Sequence, residues 1–326
     1  MGKLTWLAAF AIVILLSGCD SKSAAKPTGS TQSSNPSAAA TVGNKLKIVT
    51  SFYPMYEFTR QVAGEYADVI ALVPQGVEPH DWEPSAKDMT LIQEANVFVY
   101  NGIVEGWAEK ALDSTTNADR VIVEASNGMD LIVGVEDEEE GNSKGDGTQD
   151  DQGLDPHVWL SPVLAQQEVS AIAAALIKAD PAHKDDFQKN ADAYIAKLKE
   201  LDASYSEELK NIKRTEFVTQ HASFGYLAKQ YGLTQMPISG LSPEQEPSPD
   251  KMVDIIKFAK EHDVKTIFFE TMVDPKIAET IAAEVKAKTD VLNPIEGLTD
   301  EDKQNNRDYI AIMYLNLEGL AKALNE

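Results

Sequence analysis

The chain has 326 residues, 43% of them hydrophobic and 25% charged, which is an ordinary globular composition. Its length suggests two domains, each large enough to bury a core of its own. The formal net charge is −23, so the surface repels the phosphates of nucleic acids and of anionic lipid headgroups. Cations are the natural partners of such a surface, and nucleic acid is a poor one.

The first residues have the pattern of an export signal. Lys3 precedes the apolar run LTWLAAFAIVILL, and two small residues follow it before Cys19, the only cysteine of the chain. The segment LSGC, residues 16–19, resembles the lipobox of bacterial lipoproteins, in which the cysteine carries lipid and becomes the first residue. We therefore predict a signal peptide over residues 1–18 and lipidation of Cys19. The alternative is a soluble secreted protein with an incidental cysteine.

The segment after Cys19 predicts a tether. Residues 19–44 are rich in Ser, Ala, Thr, Gly and Pro and contain almost no large apolar side chains. Such a segment cannot repay the entropy of ordering, so we predict a disordered, lipid-anchored tether. The folded part should begin near Lys45.

From Lys45 onwards, short β-rich runs alternate with amphipathic helices. This alternation predicts an α/β fold with two lobes, each with a mostly parallel sheet flanked by helices. The N-terminal lobe is expected over residues 45–179, interrupted by an acidic flexible loop over residues 136–152, and the C-terminal lobe over residues 214–326. Two such lobes imply a cleft at the carboxyl ends of their strands.

A long helix is expected between the lobes. Asp180 and Pro181 are helix-starting residues, and apolar side chains then recur at steps of three and four as far as Ile212. The pattern predicts one helix over residues 180–213, roughly 50 Å long at about 1.5 Å per residue. A lone coiled-coil segment is the alternative.

Four side chains stand out as possible metal ligands. His80, His157 and His221 lie at the carboxyl ends of predicted strands or in the loops beyond them, and Glu270 ends the predicted strand KTIFFE. Taken singly, each histidine is as compatible with a packed or capping role as with a ligand. Together, three histidines and one carboxylate would form a closed tetrahedral zinc site. The other two histidines, His183 and His262, lie in charged helical contexts and are expected to be solvated.

Six segments together resemble a known family. They are TSFYPMYEFTRQVAG, VEPHDWEPS, DPHVWLSP, QHASFGYLAKQYGL, GLSPEQEPS and NPIEGL. In this order they resemble the zinc-binding solute-binding lipoproteins of bacterial ABC importers, the cluster A-I or cluster 9 metal-binding family. The resemblance implies two α/β lobes joined by one rigid helix, with the metal between the lobes. It also implies that His80, His157 and His221 bind the metal, with Glu270 or a water as the fourth ligand.

The acidic loop departs from that family, whose members often carry histidines there. Residues 136–152 contain eight acidic residues, one lysine and no histidine, a net charge of −7. The loop is therefore expected to act as a solvated segment or as a weak, oxygen-based collector of cations.

The predicted function is extracytoplasmic, high-affinity capture of Zn²⁺ for delivery to an ABC permease and its ATPase. The resemblance places the protein at the outer face of the cytoplasmic membrane, lipid-anchored and monomeric, in a Gram-positive bacterium. A manganese- or iron-binding protein of the same importer class is the first alternative. A zinc hydrolase would need an open metal vertex and a nearby base, so we expect no enzyme and no catalytic residue. A surface adhesin is a further alternative that no feature of the sequence supports directly.

Overall fold

The computed structural model describes residues 45–134 and 153–326. The predicted signal peptide, Cys19, the tether and the acidic loop 136–152 lie outside the described residues. Among the helices of the described ranges, none combines the length and the apolarity that crossing a bilayer requires.

The first sheet has four parallel strands in the order β2-β1-β3-β4. The strands are β1 (Leu46–Thr50), β2 (Ala67–Ala71), β3 (Val97–Tyr100) and β4 (Val121–Glu124), and the helices between them are α1 (Tyr53–Ala63), α2 (Ala86–Glu94) and α3 (Ala108–Asp113). The ends of α1 and α2 follow from local sequence. Gly64 takes φ of 56° after α1, and Ser85 and Asp88 form a reciprocal capping box at the start of α2.

Two antiparallel helices follow the first sheet. These are α4 (Pro162–Ala179) and α5 (Lys184–Glu208), separated by a single 3₁₀ turn. The predicted helix over residues 180–213 is thus shorter than expected, since α5 has 25 residues and a length of about 37 Å. The chain leaves the helix after Glu208, and the backbone N–H groups of Lys213 and Arg214 donate to the carbonyl of Leu324 instead.

The second sheet repeats the topology of the first, with four parallel strands in the order β6-β5-β7-β8. Its strands are β5 (Glu216–Thr219), β6 (Thr234–Pro237), β7 (Thr266–Phe269) and β8 (Lys288–Val291), and its helices are α6 (Gly225–Tyr231), α7 (Pro249–Glu261), α8 (Lys276–Val285), α9 (Asp300–Gln304) and α10 (Tyr309–Leu324). The prediction of two α/β lobes with parallel sheets is confirmed.

One hydrophobic core runs through both lobes. Helix α5 packs on α4 and α1 and also on α10, which follows the second sheet. The aromatic ring of Phe58 on α1 lies 4.9 Å from that of Tyr309 on α10 and 6.0 Å from that of Tyr194 on α5. Two smaller clusters cover the opposite faces of the two sheets. The lobes therefore share buried apolar surface and meet in more than a single connecting segment.

Candidate metal centre

Three of the predicted ligands converge in the structure. His80, His157 and His221 each offer a ring nitrogen, and all three nitrogens lie within 4.8 Å of one another and of a carboxylate oxygen of Glu296. His157 and His221 are fully buried, Glu296 is 3% exposed, and His80 is partly buried. The four side chains therefore form one compact, almost solvent-free group.

The spacing of this group fits a small tetrahedral ion. Glu296 Oε1 lies 3.2 Å from Nε2 of His80, 3.6 Å from Nε2 of His157 and 3.4 Å from Nε2 of His221. The Nε2 atoms of His157 and His221 are 3.2 Å apart. Zinc–nitrogen bonds of about 2.0–2.1 Å place tetrahedral ligand atoms about 3.3–3.4 Å apart. These four distances are therefore close to the spacing of ligand atoms around a tetrahedral zinc ion.

Each of the four comes from the carboxyl end of a parallel sheet or from a loop beyond it. His80 lies between β2 and α2, His157 precedes the 3₁₀ turn Val158–Leu160 that leads into α4, and His221 follows β5. Glu296 follows β8. Parallel α/β folds collect their ligand sites at this edge because successive strands all end there.

His157 is held by a carboxylate two residues away. Oδ1 of Asp155 accepts hydrogen bonds from the backbone N–H of His157 at 2.9 Å and from its ring Nδ1 at 2.8 Å. Asp155 is 2% exposed. Because Nδ1 donates to a carboxylate, the ring presents Nε2 as the metal donor.

His221 is held in the same way by Glu270. Oε1 of Glu270 accepts from the backbone N–H of His221 at 3.1 Å and from its ring Nδ1 at 2.6 Å. Glu270 is 3% exposed and follows β7, which neighbours β5 in the sheet. Its carboxylate therefore meets the imidazole from the side opposite the metal-facing Nε2.

The position of Glu270 differs from the expectation that it is the fourth ligand. The ring of His221 stands between Glu270 and the other histidines, and the carboxylate that joins their Nε2 atoms belongs to Glu296. Glu296 lies in NPIEGL, one of the six segments that carry the family resemblance. The strand β8 ends earlier, at Val291, and the chain then turns into the cleft. An acidic residue beyond a strand's carboxyl end made Glu296 a candidate, but Glu270 carries the same signal.

Burial and neighbouring charges shift the pKa values of these groups in opposite directions. Burial alone would lower the pKa of His221, but the charges and hydrogen bonds of Glu270 and Glu296 outweigh it and raise that pKa to about 10. Burial would likewise lower the pKa of His157, and the hydrogen bonds of Asp155 and Glu296 raise it above its usual value. For Glu296, burial favours the neutral acid, but hydrogen bonds from the three histidines hold its pKa well below the ordinary range. The buried carboxylates therefore favour the protonated forms of His157 and His221 when no metal is bound.

A cavity of about 260 Å³ reaches Glu296 from the side of α1. Its lining includes Tyr53, Tyr56, Gln75 and Gly297. Gly297 lies close to the backbone of the loop that carries His80, since a Cβ on it would be 3.6 Å from the backbone nitrogen of Gly76. The cavity therefore lies beside Glu296, and Gly297 lies against the loop that carries His80.

The two remaining histidines lie away from the cluster. His183 stacks on Tyr66 with ring centroids 4.3 Å apart and pairs with Asp180, whereas His262 pairs with Glu216 at 3.5 Å. Each is partly exposed, with 37% and 39% of its side chain accessible. Both have ordinary local partners at the protein surface.

Known proteins share the sequence and the fold of this chain. Residues 48–323 match the family described as ZnuA, the periplasmic component A of a zinc-uptake complex. The high-affinity zinc uptake system protein ZnuA of Bacillus subtilis (strain 168) is 48% identical over 90% of this chain and 92% of its own length. The zinc-binding lipoprotein AdcA of Streptococcus pneumoniae is 44% identical over 86% of this chain, which spans 56% of that longer protein.

A solved structure agrees with these sequence matches. The crystal structure of the Zn(II)-bound ZnuA-like domain of Streptococcus pneumoniae AdcA is 43% identical, with a TM-score of 0.73, and the match covers 86% of this chain and all of that domain. The resemblance identified from the six sequence segments is confirmed, and so is the two-lobed fold. The chain belongs to the ZnuA family, whose members are the solute-binding components of zinc-uptake complexes.

Proposed function

We propose that the protein binds Zn²⁺ outside the cytoplasm through His80, His157, His221 and Glu296 and delivers it to a membrane permease driven by an ATPase. The observation that carries the proposal is the closed arrangement of three imidazole nitrogens and one carboxylate oxygen at zinc spacing. Zinc is here the transported cargo, and the relatives named for zinc uptake and zinc binding support this choice.

The donor set favours zinc over the harder divalent ions. Three imidazoles suit zinc, copper and nickel, whereas manganese and calcium prefer more oxygen ligands. The intrinsic order of metal affinities does not favour zinc over copper. The transported metal must therefore be identified by measurement. Metal analysis of protein purified from its host, with elemental quantification of bound zinc, manganese, iron, copper and nickel, tests the assignment. A predominance of manganese or iron contradicts it.

The same geometry argues against catalysis. The three histidines and Glu296 would occupy all four positions of a tetrahedral zinc ion, which leaves no position for a metal-bound water. We therefore propose a binding protein without enzymatic activity. Hydrolysis of ester or peptide substrates that disappears in a metal-stripped sample would contradict this.

Attachment to the membrane is proposed to occur through lipid on Cys19, with residues 19–44 as the tether. Two acyl chains give stable anchoring, whereas one gives only marginal binding. Replacement of Cys19 by Ala should release the protein into the medium, which fractionation of cells with an antibody to the protein would show.

The binding test compares single alanine variants in competition with a chelator of known zinc affinity. The variants at His80, His157 and His221 should each lose tight zinc binding, whereas His183→Ala and His262→Ala serve as matched controls and should retain it. Wild-type affinity in any of the first three variants would overturn the site assignment.

A further inference from the structure

Glu296 reaches the three histidines from a strained turn of the backbone. After β8 the chain passes through Asn293, Pro294 and Ile295, and Ile295 has φ of 59° although it is β-branched and fully buried. A β-branched side chain is rarely found in this left-handed region, and such a conformation persists only where the surroundings hold it. The residue immediately before the fourth carboxylate is therefore held by its neighbours.

Two asparagines hold the turn from within the C-terminal lobe. Asn316 on α10 accepts from the backbone N–H of Asn293 at 2.9 Å and donates to the carbonyl of the same residue at 2.7 Å. The side-chain oxygen of Asn293 then accepts from the backbone N–H of Ile295 at 2.8 Å. Asn316 and Asn293 are 2% and 6% exposed. One end of the peptide unit between Pro294 and Ile295 is fixed by these contacts.

The other end of the same peptide unit is fixed by the lobe that carries His157. The indole Nε1 of Trp159 donates to the carbonyl of Pro294 at 2.8 Å. Trp159 is fully buried, its ring packs against the imidazole of His157 with centroids 5.1 Å apart, and its own carbonyl accepts from the hydroxyl of Tyr309. Trp159 therefore contacts both a predicted metal ligand and the turn that carries another.

These bonds determine the torsion that precedes Glu296. The carbonyl of Pro294 and the N–H of Ile295 belong to one planar peptide unit. With Trp159 holding its oxygen and Asn293 holding its nitrogen, the plane cannot rotate, and the φ of Ile295 is kept at its strained value. The direction in which Glu296 leaves the turn follows from that torsion.

We propose that Trp159 is a positioning residue for Glu296. Through the carbonyl of Pro294 it sets the place of the fourth carboxylate relative to His157, across the boundary between the lobes. The inference rests on the proposed function, because it concerns how the zinc-binding group is assembled. It adds that the tryptophan of DPHVWLSP and the carboxylate of NPIEGL act as one unit, although they are 137 residues apart.

The plain structural alternative is that the indole only satisfies a buried carbonyl. A buried carbonyl does need a donor, and its loss would lower stability wherever it occurred. The two roles differ in one respect. A positioning role requires that the effect of losing the indole N–H on zinc binding depends on the carboxylate of Glu296.

A double-mutant cycle tests this dependence in the full chain. Trp159→Phe removes the indole N–H and keeps an aromatic ring, and Glu296→Gln removes the charged ligand. We expect Trp159→Phe to weaken zinc binding about tenfold in the wild-type background, in the range typical of residues that orient ligands. In the Glu296→Gln background the same change should weaken binding less than about twofold, because coupled residues are not additive. Chelator competition with zinc alone gives all four affinities.

Trp107→Phe is the matched control. The indole nitrogen of Trp107 is buried without a hydrogen-bond partner in the described structure, and the residue packs in the cluster on the far face of the first sheet. Its replacement should leave zinc affinity unchanged within about twofold. Thermal unfolding of the metal-free variants shows that each one is folded.

A spectroscopic measurement adds a readout that stability alone would not change. Co²⁺ in a tetrahedral site absorbs visible light more strongly than in a five- or six-coordinate site, so Trp159→Phe should weaken the visible bands of the cobalt-loaded protein. If Trp159→Phe does not fold, Asn316→Ala loosens the same turn from α10 and should show the same dependence on Glu296.

Two outcomes overturn the proposal, and they can be told apart. If Trp159→Phe weakens zinc binding equally in both backgrounds, or not at all in either, the indole has no positioning role and the zinc site stands. If Glu296→Gln retains wild-type affinity, the fourth ligand itself is misassigned, while the three histidine variants still report on the proposed function.

Discussion

The two fully buried histidines are held by the same arrangement, built in two different ways. At His157 the supporting carboxylate is Asp155, two residues earlier in the chain. At His221 it is Glu270, 49 residues later and just beyond the neighbouring strand β7. In both, one oxygen accepts from the backbone N–H and the ring Nδ1 of the same residue. One half of the site is therefore assembled by a local turn, and the other only by the completed sheet.

Each lobe therefore brings an oriented ligand of its own. The imidazole and its carboxylate are both buried in each case, so neither ring can turn without breaking a hydrogen bond in a place that water does not reach. Glu296 and His80 then complete the group of four side chains between the lobes.

The largest effect should come from removing the rings themselves. His157→Ala and His221→Ala should each reduce zinc affinity by more than about a hundredfold, beyond the range seen when only an orienting residue is lost. Equal losses would indicate that His157, supported by a local turn, and His221, supported across the sheet, contribute equally to zinc affinity. Chelator competition measures both, with His183→Ala as the control. A loss at only one of the two would show that the halves differ in function.

Removal of the supporting carboxylates should come next. Asp155→Ala and Glu270→Ala should each reduce zinc affinity about 10- to 100-fold, because the freed Nδ1 no longer fixes the ring. Asp155→Asn and Glu270→Gln keep an acceptor oxygen and should recover part of the loss. If Glu270→Ala abolishes binding as completely as His221→Ala, Glu270 acts as a metal ligand and the position described above does not persist in the loaded protein.

The stability of the metal-free protein should depend on pH through His221. Because the folded-state pKa of His221 is raised to about 10 from an ordinary 6.5, its protonation stabilises the fold fully below pH 6.5. That contribution is lost as the pH rises towards 10. The melting temperature of the metal-free protein should therefore fall over this interval, and zinc affinity should rise as protons cease to compete.

Glu270→Gln removes the largest cause that raises this pKa, so the decline in melting temperature should become shallower. Thermal unfolding from pH 6 to pH 10 with and without zinc measures the effect. An identical pH profile in wild type and Glu270→Gln would show that the carboxylate does not govern the protonation of His221.

The smallest effect should come from the acidic segment. Gly134 N–H donates to the carbonyl of Gly153 at 2.7 Å, and Val133 pairs with Leu154, so the two ends of the segment are adjacent. Residues 136–152 can therefore be replaced by a two-residue Asn-Gly turn. Equilibrium zinc affinity should change less than about twofold, because exposed carboxylates bind cations weakly. A loss as large as that of Asp155→Ala would make the segment part of the site.

The fold was predictable because each strand and helix has its own local pattern. The strands β1 to β4, the helix α4 and the order of the second lobe follow from alternation, capping residues and glycines. The short helices α3 and α9 carry too few residues for a clear periodicity, so the sequence pattern does not predict them. The end of α5 was misplaced because the apolar pattern continues past Glu208, where the helix ends. Beyond it, the backbone N–H groups of Lys213 and Arg214 donate to the carbonyl of Leu324, the last residue of α10.

The site was predictable in part for a related reason. The three histidines could be selected because they lie in loops at strand ends and because the surrounding segments resemble a known family. The choice between Glu270 and Glu296 could not be made from the sequence, since both follow strands and both carry a carboxylate. Only the pairing of β7 with β5 and of β8 with β7, together with the turn at Ile295, decides which carboxylate faces Nε2 of His221 and which one faces its Nδ1.

The shared core of the two lobes has a calorimetric consequence. Opening the cleft widely would separate rings such as Phe58 and Tyr309, and exposing a large apolar side chain costs about 1.5–3 kcal/mol. We therefore expect the lobes to move little relative to each other, so that capture of the ion buries little new apolar surface. Because the heat capacity change of binding follows buried apolar surface, zinc binding should show an enthalpy almost independent of temperature once proton release is subtracted. In this respect the protein behaves like a small rigid chelator.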